Sequence, residues 1–162
     1  MRKIFFIISM LLFATTIFSQ AKQDGFDGLK KNAISLNFIG TTPVIGLTYE
    51  RILSQYMSLE LGVGIPGFGA GVKIMPFKIK ASTIMFTTGL TTTYSDYKDG
   101  WLASGKRVTL YVPIGMSYYG IKGFNFGIDI GPGYRMFIKD SNSRNDDNGF
   151  LPWAGLKIGQ RF

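Results

Sequence analysis

Apolar and polar side chains alternate with a period of two through most of the chain after residue 33, which is typical of β-strands with two different faces. Ile34, Leu36 and Phe38, for example, alternate with Ser35 and Asn37. The alternation predicts eight strands, around residues 34–38, 45–50, 58–65, 68–74, 84–91, 108–119, 124–131 and 155–162. No long amphipathic helix is predicted there, so the expected fold class is all-β.

The connections between these strands differ in length in a regular way. Two are long and polar, at about residues 95–106 and 139–150, and the others are short. In an antiparallel up-and-down arrangement every second connection lies at the same end. Both long connections therefore fall at one end, opposite the short turns and the chain termini. Eight strands in this order predict an up-and-down antiparallel β-barrel.

The sixth strand contains Pro113, which cannot donate a hydrogen bond to a neighbouring strand. The apolar positions keep their phase on both sides of it, at Val112, Ile114 and Met116. We expect a bulge or local bend at Pro113, and the alternative is that the strand breaks there.

The N-terminus has the layout of a secretory signal. Met1, Arg2 and Lys3 are followed by a mostly apolar run at residues 4–18 and then by Ser19-Gln20-Ala21. A transmembrane anchor helix needs about 20 apolar residues, and this run is shorter. We predict a signal peptide at residues 1–21, a polar periplasmic segment at residues 22–32 and an outer-membrane barrel at residues 33–162.

Composition narrows the chemistry. The chain has 162 residues with no cysteine and no histidine, which excludes disulfides, thiolate metal sites and a Ser-His-Asp triad. We expect no enzyme activity and no catalytic, cofactor-binding or metal-binding residues. The net charge is +8, but Arg2 and Lys3 lie in the signal and the remaining cations are scattered. A nucleic-acid partner is therefore not expected for an exported protein.

The content of the two faces predicts which one points outward. The polar face consists mainly of Gly, Ser and Thr, which suit a narrow lumen, whereas the other face is bulky and apolar throughout. A transmembrane barrel places its apolar face towards lipid, and a soluble lipocalin-like barrel does the reverse. Lipid also provides no hydrogen-bond partner for the unpaired backbone groups of an open sheet edge, so a sheet that spans the membrane must close into a barrel.

Several segments carry a family resemblance: residues 46–51 (GLTYER), 112–116 (VPIGM) and 127–134 (GIDIGPGY), and the closing Phe162. The chain resembles small outer-membrane β-barrel proteins of the porin-like type found in Bacteroidetes, with an architecture similar to OmpX and the OmpA membrane domain. The resemblance implies recognition by the barrel-assembly machinery. Gln160 departs from it, because an apolar residue is expected there in the final strand.

Six charged residues fall on the polar face, and we expect them to form an ion-pair network that closes the lumen, because an unpaired buried charge is costly. A gated ion path and a catalytic carboxylate pair at Glu50 and Glu60 are the alternatives. The six are Glu50, Glu60, Lys73, Asp129, Lys157 and Arg161.

Aromatic residues near the predicted strand ends indicate membrane interfaces, where Tyr and Trp are enriched. They are Tyr49, Tyr94, Tyr118, Tyr134 and Phe162. In the long loops, Trp101 and Arg144 are candidate contacts for an external partner.

These patterns predict a monomeric outer-membrane protein, surrounded by lipid, with a structural or surface-interaction role towards a ligand or protein met by its two long loops. The alternatives are a narrow pore or transport accessory and a soluble secreted ligand-binding barrel.

Overall fold

A computed structural model describes residues 29–97, 105–138 and 148–162. The predicted signal peptide, Trp101 and Arg144 lie outside these ranges. Within them no helix is long and apolar enough to cross a membrane.

The described residues form nine β-strands, several of them longer than the alternation predicts. The strands are β1 Asn32–Ile39, β2 Ile45–Ser54, β3 Met57–Ile65, β4 Gly67–Ile74, β5 Ile84–Tyr97, β6 Gly105–Tyr111, β7 Ile114–Tyr119, β8 Phe124–Ile138 and β9 Gly149–Arg161. Because β6 and β7 together occupy the place of one strand between β5 and β8, the sheet counts as eight-stranded.

The sheet closes on itself. All pairings are antiparallel and follow chain order, except that β6 and β7 do not pair with each other and each pairs with both β5 and β8. The sheet is closed by β1, which pairs with β9 over Ala33–Ile39 and Gly155–Arg161. Following paired residues once around the sheet returns to β1 about ten residues further along the chain. Such a stagger accompanies strands tilted by roughly 35–45° to the barrel axis. The predicted eight-stranded antiparallel barrel is confirmed for the described residues.

The expected bulge at Pro113 is wrong. Strand pairing stops at Val112 and Pro113 and resumes at Ile114, with the same register towards both β5 and β8. The ladder therefore has a gap without an inserted residue. The Val112 amide still donates to the Pro132 carbonyl at 3.1 Å, which helps to hold the two halves in line.

β8 and β9 extend well beyond their predicted limits. The alternation is interrupted at Pro132 and Pro152, which a sequence pattern treats as strand ends. In the barrel these two prolines lie opposite each other in the β8–β9 ladder, and pairing continues past them to Arg135 and Gly149. The additional length carries β8 to Ile138 and brings new side chains to one end of the barrel.

The two faces of the sheet have opposite chemistry. Inward-facing side chains are mainly polar or charged, and outward-facing ones are mainly large and apolar. In β7, for instance, Ser117 is 1% exposed whereas its neighbour Met116 is 52% exposed. The apolar outer face continues around the whole barrel on all strands.

We call one end of the barrel the short-turn end; it holds residues 55–56, 75–83 and 120–123 and the C-terminus. The connection at residues 75–83 was expected to be a short turn near Phe77–Lys80, but it runs for nine residues and turns Met75 and Ile79 into the barrel. There they form an apolar plug with Leu29, Ile52, Met85 and Tyr119.

The other end is called the mouth. It holds residues 40–44, Pro66 and the strand ends that residues 98–104 and 139–148 connect.

Candidate functional site

The middle of the lumen contains a group of buried charged side chains, which we call the lumen charge cluster. Each of them occupies an inward-facing position in the alternation of its strand, and every member is at most 5% exposed. The members are Glu50 on β2, Glu60 on β3, Lys73 on β4, and Lys157 and Arg161 on β9.

Glu50 and Glu60 are directly opposite each other in the β2–β3 ladder. Like charges in this position repel unless a cation lies between them. Lys157 reaches across from β9 and supplies that cation: its Nζ is 2.6 Å from Oε2 of Glu50 and also contacts Oε1 of Glu60. One ammonium group thus links two carboxylates and three strands.

Both carboxylates have further partners. Nζ of Lys73 lies 3.0 Å from Oε1 of Glu60, and Nη1 of Arg161 lies 3.4 Å from Oε1 of Glu50 as a charge contact rather than an aligned hydrogen bond. The Tyr119 hydroxyl donates to Oε1 of Glu50 at 2.9 Å. Three cations therefore surround two carboxylates, so the cluster carries one net positive charge.

Arg161 also fixes the start of the barrel. Its Nε donates to the carbonyl oxygen of Lys30 at 2.9 Å and its Nη2 to that of Lys31 at 3.1 Å. Its guanidinium lies over the Tyr119 ring, 4.4 Å from the centroid. Loss of Arg161 would remove a charge partner and an anchor for the chain before β1 together.

On the mouth side, the connection between β1 and β2 folds into the lumen instead of projecting outward. The Thr41 hydroxyl donates to Oε2 of Glu60 at 2.7 Å. The approach is close enough that a Cβ added at Gly62 would lie 2.9 Å from the Thr41 carbonyl oxygen. A Cβ added at Gly69 would lie even closer to the same carbonyl oxygen, so the glycines of β3 and β4 make room for this connection.

Little free space remains between these groups. The cavity bordered by Thr41, Glu60, Lys73, Asp129 and Lys157 offers about 10 Å³ to the centre of a water molecule. That is roughly the room that a single water needs. Among the described residues, the apolar plug below this cavity and residues 40–43 above it are buried in the lumen.

Asp129 is not brought into the lumen charge cluster, although sequence parity grouped it there. Its Oδ1 accepts a hydrogen bond of 2.6 Å from the Tyr111 hydroxyl. It lies opposite Gly115 and Gly155, two residues nearer the mouth along β8 than Gly127, the partner of Lys157. Height in the barrel, which parity does not report, separates it from the cations.

A second group lies nearer the mouth, and we call it the mouth cluster: Tyr97, Arg107, Arg135, Phe137 and Trp153. The Arg107 guanidinium lies between two rings, 4.8 Å from the Tyr97 centroid and 5.0 Å from the Phe137 centroid. That of Arg135 lies 6.0 Å from the Trp153 centroid. Among the described residues neither arginine forms an ion pair.

The aromatic residues expected at interfaces all lie on the outer face or at the chain end. Near the mouth, Tyr94 packs on Phe68 and Tyr134 on Phe150, with centroids 5.3 and 5.0 Å apart. Towards the short-turn end, the Tyr118 and Phe124 centroids are 6.3 Å apart. The Tyr49 hydroxyl bonds to Oδ1 of Asn32 at 2.7 Å, and Phe162 is exposed. These contacts form two groups at different heights.

Sequence reasoning missed several residues of both clusters. Tyr111 and Tyr119 share the polar face of their strand, so parity could have included them. Arg135 and Phe137 could have been found by continuing the alternation of β8 through Gly131-Pro132-Gly133. Thr41 had no sequence signal, because its role depends on a connection that turns inward.

Gln160, which departs from the apolar pattern of the last strand, faces outward at the short-turn end. Its Nε2 donates to the Lys122 carbonyl oxygen at 2.9 Å. The polar residue therefore ties β9 to the turn before β8.

Comparison with protein-family models, with curated proteins and with solved structures found no match to this chain.

Proposed function

We propose that this chain is an exported outer-membrane β-barrel with a closed lumen, and that its role is structural or interactive at the cell surface. The observation that carries the proposal is the continuous outer face of large exposed apolar side chains on a sheet without free edges. Monomeric soluble proteins rarely expose apolar patches larger than a few hundred Å². Lipid is the solvent that suits such a surface.

The interior supports the same proposal. A soluble barrel that binds an apolar ligand would have its bulky apolar side chains inside. Here the inner face holds Glu50, Glu60, Lys73, Lys157 and Arg161, all buried and joined by ion pairs. The two outer aromatic groups, one at each end, fit the two interfaces of a bilayer.

The closed lumen favours a structural or interactive role over a pore. Free passage of ions needs a continuous water-filled path, whereas the cavity beside the lumen charge cluster offers about 10 Å³, roughly the room for one water. An open pore would require residues 40–43 and the apolar plug to leave the lumen. The proposal assigns no catalysis to the barrel.

Export by a signal peptide at residues 1–21 and insertion by the barrel-assembly machinery are parts of this proposal. So are a monomeric state and an orientation that places the mouth outside the cell, since outer-membrane barrels carry their longer loops there. The porin-like resemblance of the sequence supports the same location.

Separation of the mature chain between detergent and aqueous phases tests the location. We expect it to partition into the detergent phase, to fold only with detergent or lipid, and to migrate faster on a gel before boiling than after it. A mature chain that is folded and monomeric in detergent-free buffer would contradict the proposal and support the soluble barrel.

Conductance across a planar bilayer tests the closed lumen separately. We expect no sustained channel steps for the folded protein. Stable open steps of the unaltered protein would favour the pore instead.

A further inference from the structure

The mouth cluster contains hydrogen-bond donors that lack acceptors. Arg107 is 7% exposed, and its Nε and Nη2 are buried with no hydrogen-bond partner. Nε1 of Trp153 is also buried and unpartnered. A buried polar group without a partner costs roughly 1–3 kcal/mol, and more when it is charged. Unpaired groups of this kind in a native structure call for a missing partner.

The two free donors of Arg107 share one edge of the guanidinium. The rings of Tyr97 and Phe137 lie 4.8 and 5.0 Å from the guanidinium carbon, and neither residue accepts a hydrogen bond from this edge. Two parallel N–H groups on one edge match the two oxygens of a carboxylate or a phosphate. The arrangement therefore favours a bidentate oxyanion over a spherical ion such as chloride.

The neighbouring residues favour an anion as well. Arg135 faces inward on β8, two residues from Phe137, the strand partner of Arg107, so the two arginines are diagonal neighbours on one face. Such neighbours are about 7–8 Å apart. The nearest inward carboxylate along β8, Asp129, is already bonded to Tyr111. Two cations thus lie side by side, and no described carboxylate forms an ion pair with either of them.

We propose that the mouth cluster is a binding site for a carboxylate or phosphate group, held by the Nε and Nη2 edge of Arg107 with Arg135 as second cation. The aromatic walls suit a ligand whose stem beside the anionic group is apolar or planar. The site is a property of the barrel mouth and does not depend on whether the outer face meets lipid.

An NMR titration of the folded mature protein in non-ionic detergent micelles, labelled with ¹⁵N-arginine, tests the site directly. Sodium phosphate and sodium acetate are added against sodium chloride at equal ionic strength. We expect a saturable shift of the Arg107 Nε–H signal with phosphate or acetate and none with chloride. Because the Trp153 ring lies 6.0 Å from the Arg135 guanidinium, its indole signal reports on the site and should shift over the same concentration range.

Variants separate a built site from general attraction to a basic protein. Arg107→Gln removes the charge and the fork, and we expect the affinity followed at Trp153 to fall at least about tenfold. Arg107→Lys keeps the charge without the fork and should bind more weakly than the unaltered protein. Lys122→Gln makes the same charge change on the exposed turn at the other end and should bind normally. If Arg107→Gln fails to fold, Arg135→Gln replaces it.

The source of the oxyanion is resolved in a second arm. Mixed micelles with phosphatidic acid present a lipid-borne phosphate, and micelles with phosphatidylcholine are the control. A shift with phosphatidic acid but not with soluble phosphate or acetate would assign the site to a lipid headgroup, and the converse to a soluble ligand. The proposal is overturned if neither source gives a saturable shift, if chloride gives an equal one, or if Arg107→Gln binds as the unaltered protein does.

Discussion

The middle and the mouth of the barrel interior contain buried charge in opposite arrangements. In the lumen charge cluster, Lys157 lies between two carboxylates, and each carboxylate has a further cation or hydroxyl donor. In the mouth cluster, Arg107 and Arg135 lie beside aromatic rings, and no described carboxylate forms an ion pair with either of them. The same residue type, arginine, is compensated at Arg161 and uncompensated at Arg107.

This difference separates groups that stabilise a fold from groups that are available to a ligand. In a compensated cluster, ion pairs within the protein offset the free-energy cost of desolvating each charge. Removal of one member therefore leaves a buried charge whose desolvation cost is no longer offset. An uncompensated buried cation carries its desolvation cost in the ligand-free protein, and binding of an external anion reduces that cost. We therefore expect the same substitution to have different effects on stability in the lumen charge cluster and in the mouth cluster.

The largest expected difference is between Arg161→Met and Arg107→Met. Arg161→Met leaves Glu50 with one cation fewer and frees the Lys30 and Lys31 carbonyls, so we expect a loss of about 3–5 kcal/mol. Arg107→Met loses its ring contacts but also an uncompensated charge, so the change should stay within about 1 kcal/mol. Urea midpoints in one detergent measure both. Equal losses would remove the distinction between the two clusters.

The outer face allows the same substitution to be tested at two different heights along the barrel. Ile130→Arg places a charge on the exposed middle of β8, and we expect a cost of about 2–4 kcal/mol in lipid. Ile138→Arg makes the same change at the mouth end of β8, where about 0–1 kcal/mol is expected. Unfolding by urea in lipid vesicles gives both values. If both variants match the unaltered protein, the outer face does not contact a bilayer core.

Thr41→Val tests whether the inward connection belongs to the compensated cluster. The substitution keeps the shape and removes the donor to Oε2 of Glu60, so we expect a loss of about 1.5–3 kcal/mol. Thr88→Val, on the outer face of β5, should be neutral or slightly stabilising. Thermal unfolding of the two variants side by side provides the measurement. Equal stability for both would mean that water replaces the Thr41 hydroxyl without cost.

The smallest effect is expected for Lys73→Met. Glu60 keeps Lys157 as its cation, and the lumen charge cluster changes from one net positive charge to zero. We therefore expect a loss of at most about 1 kcal/mol, against about 3–5 kcal/mol for Lys157→Met, which separates both carboxylates from their shared cation. Urea midpoints again decide, and a reversed order would show that Lys73 rather than Lys157 holds the cluster together.

The fold follows from the sequence because a period of two needs only local information. Alternation at residues such as Leu47 and Thr48 assigns each side chain to a face, and antiparallel order then brings distant strands together. Parity also places Glu50 and Lys157 on the same inner surface. What parity leaves out is height along the barrel axis, which depends on the stagger between strands and separates Asp129 from the cluster.

Other features depend on packing that no local pattern encodes. Pro152 lies before the last predicted strand but within an observed one, because Pro132 lies opposite it and neighbouring pairs hold the ladder. Residues 75–83 turn inward because Met75 and Ile79 find an apolar space left at the short-turn end. The same holds for Thr41, whose inward position needs the absence of side chains at Gly62 and Gly69.

The central claim is that the apolar outer face meets lipid while the polar inner face is sealed. Because the chain has no cysteine, single cysteines can be placed one at a time at residues 85–93 of β5 and labelled with a nitroxide. After reconstitution into vesicles, electron paramagnetic resonance measures collisions with oxygen and with a water-soluble nickel chelate. We predict that even-numbered positions collide with oxygen but not with nickel, and that odd-numbered positions collide little with either. Collision with nickel at Phe86, Leu90 and Thr92 equal to that at an aqueous site would contradict the account.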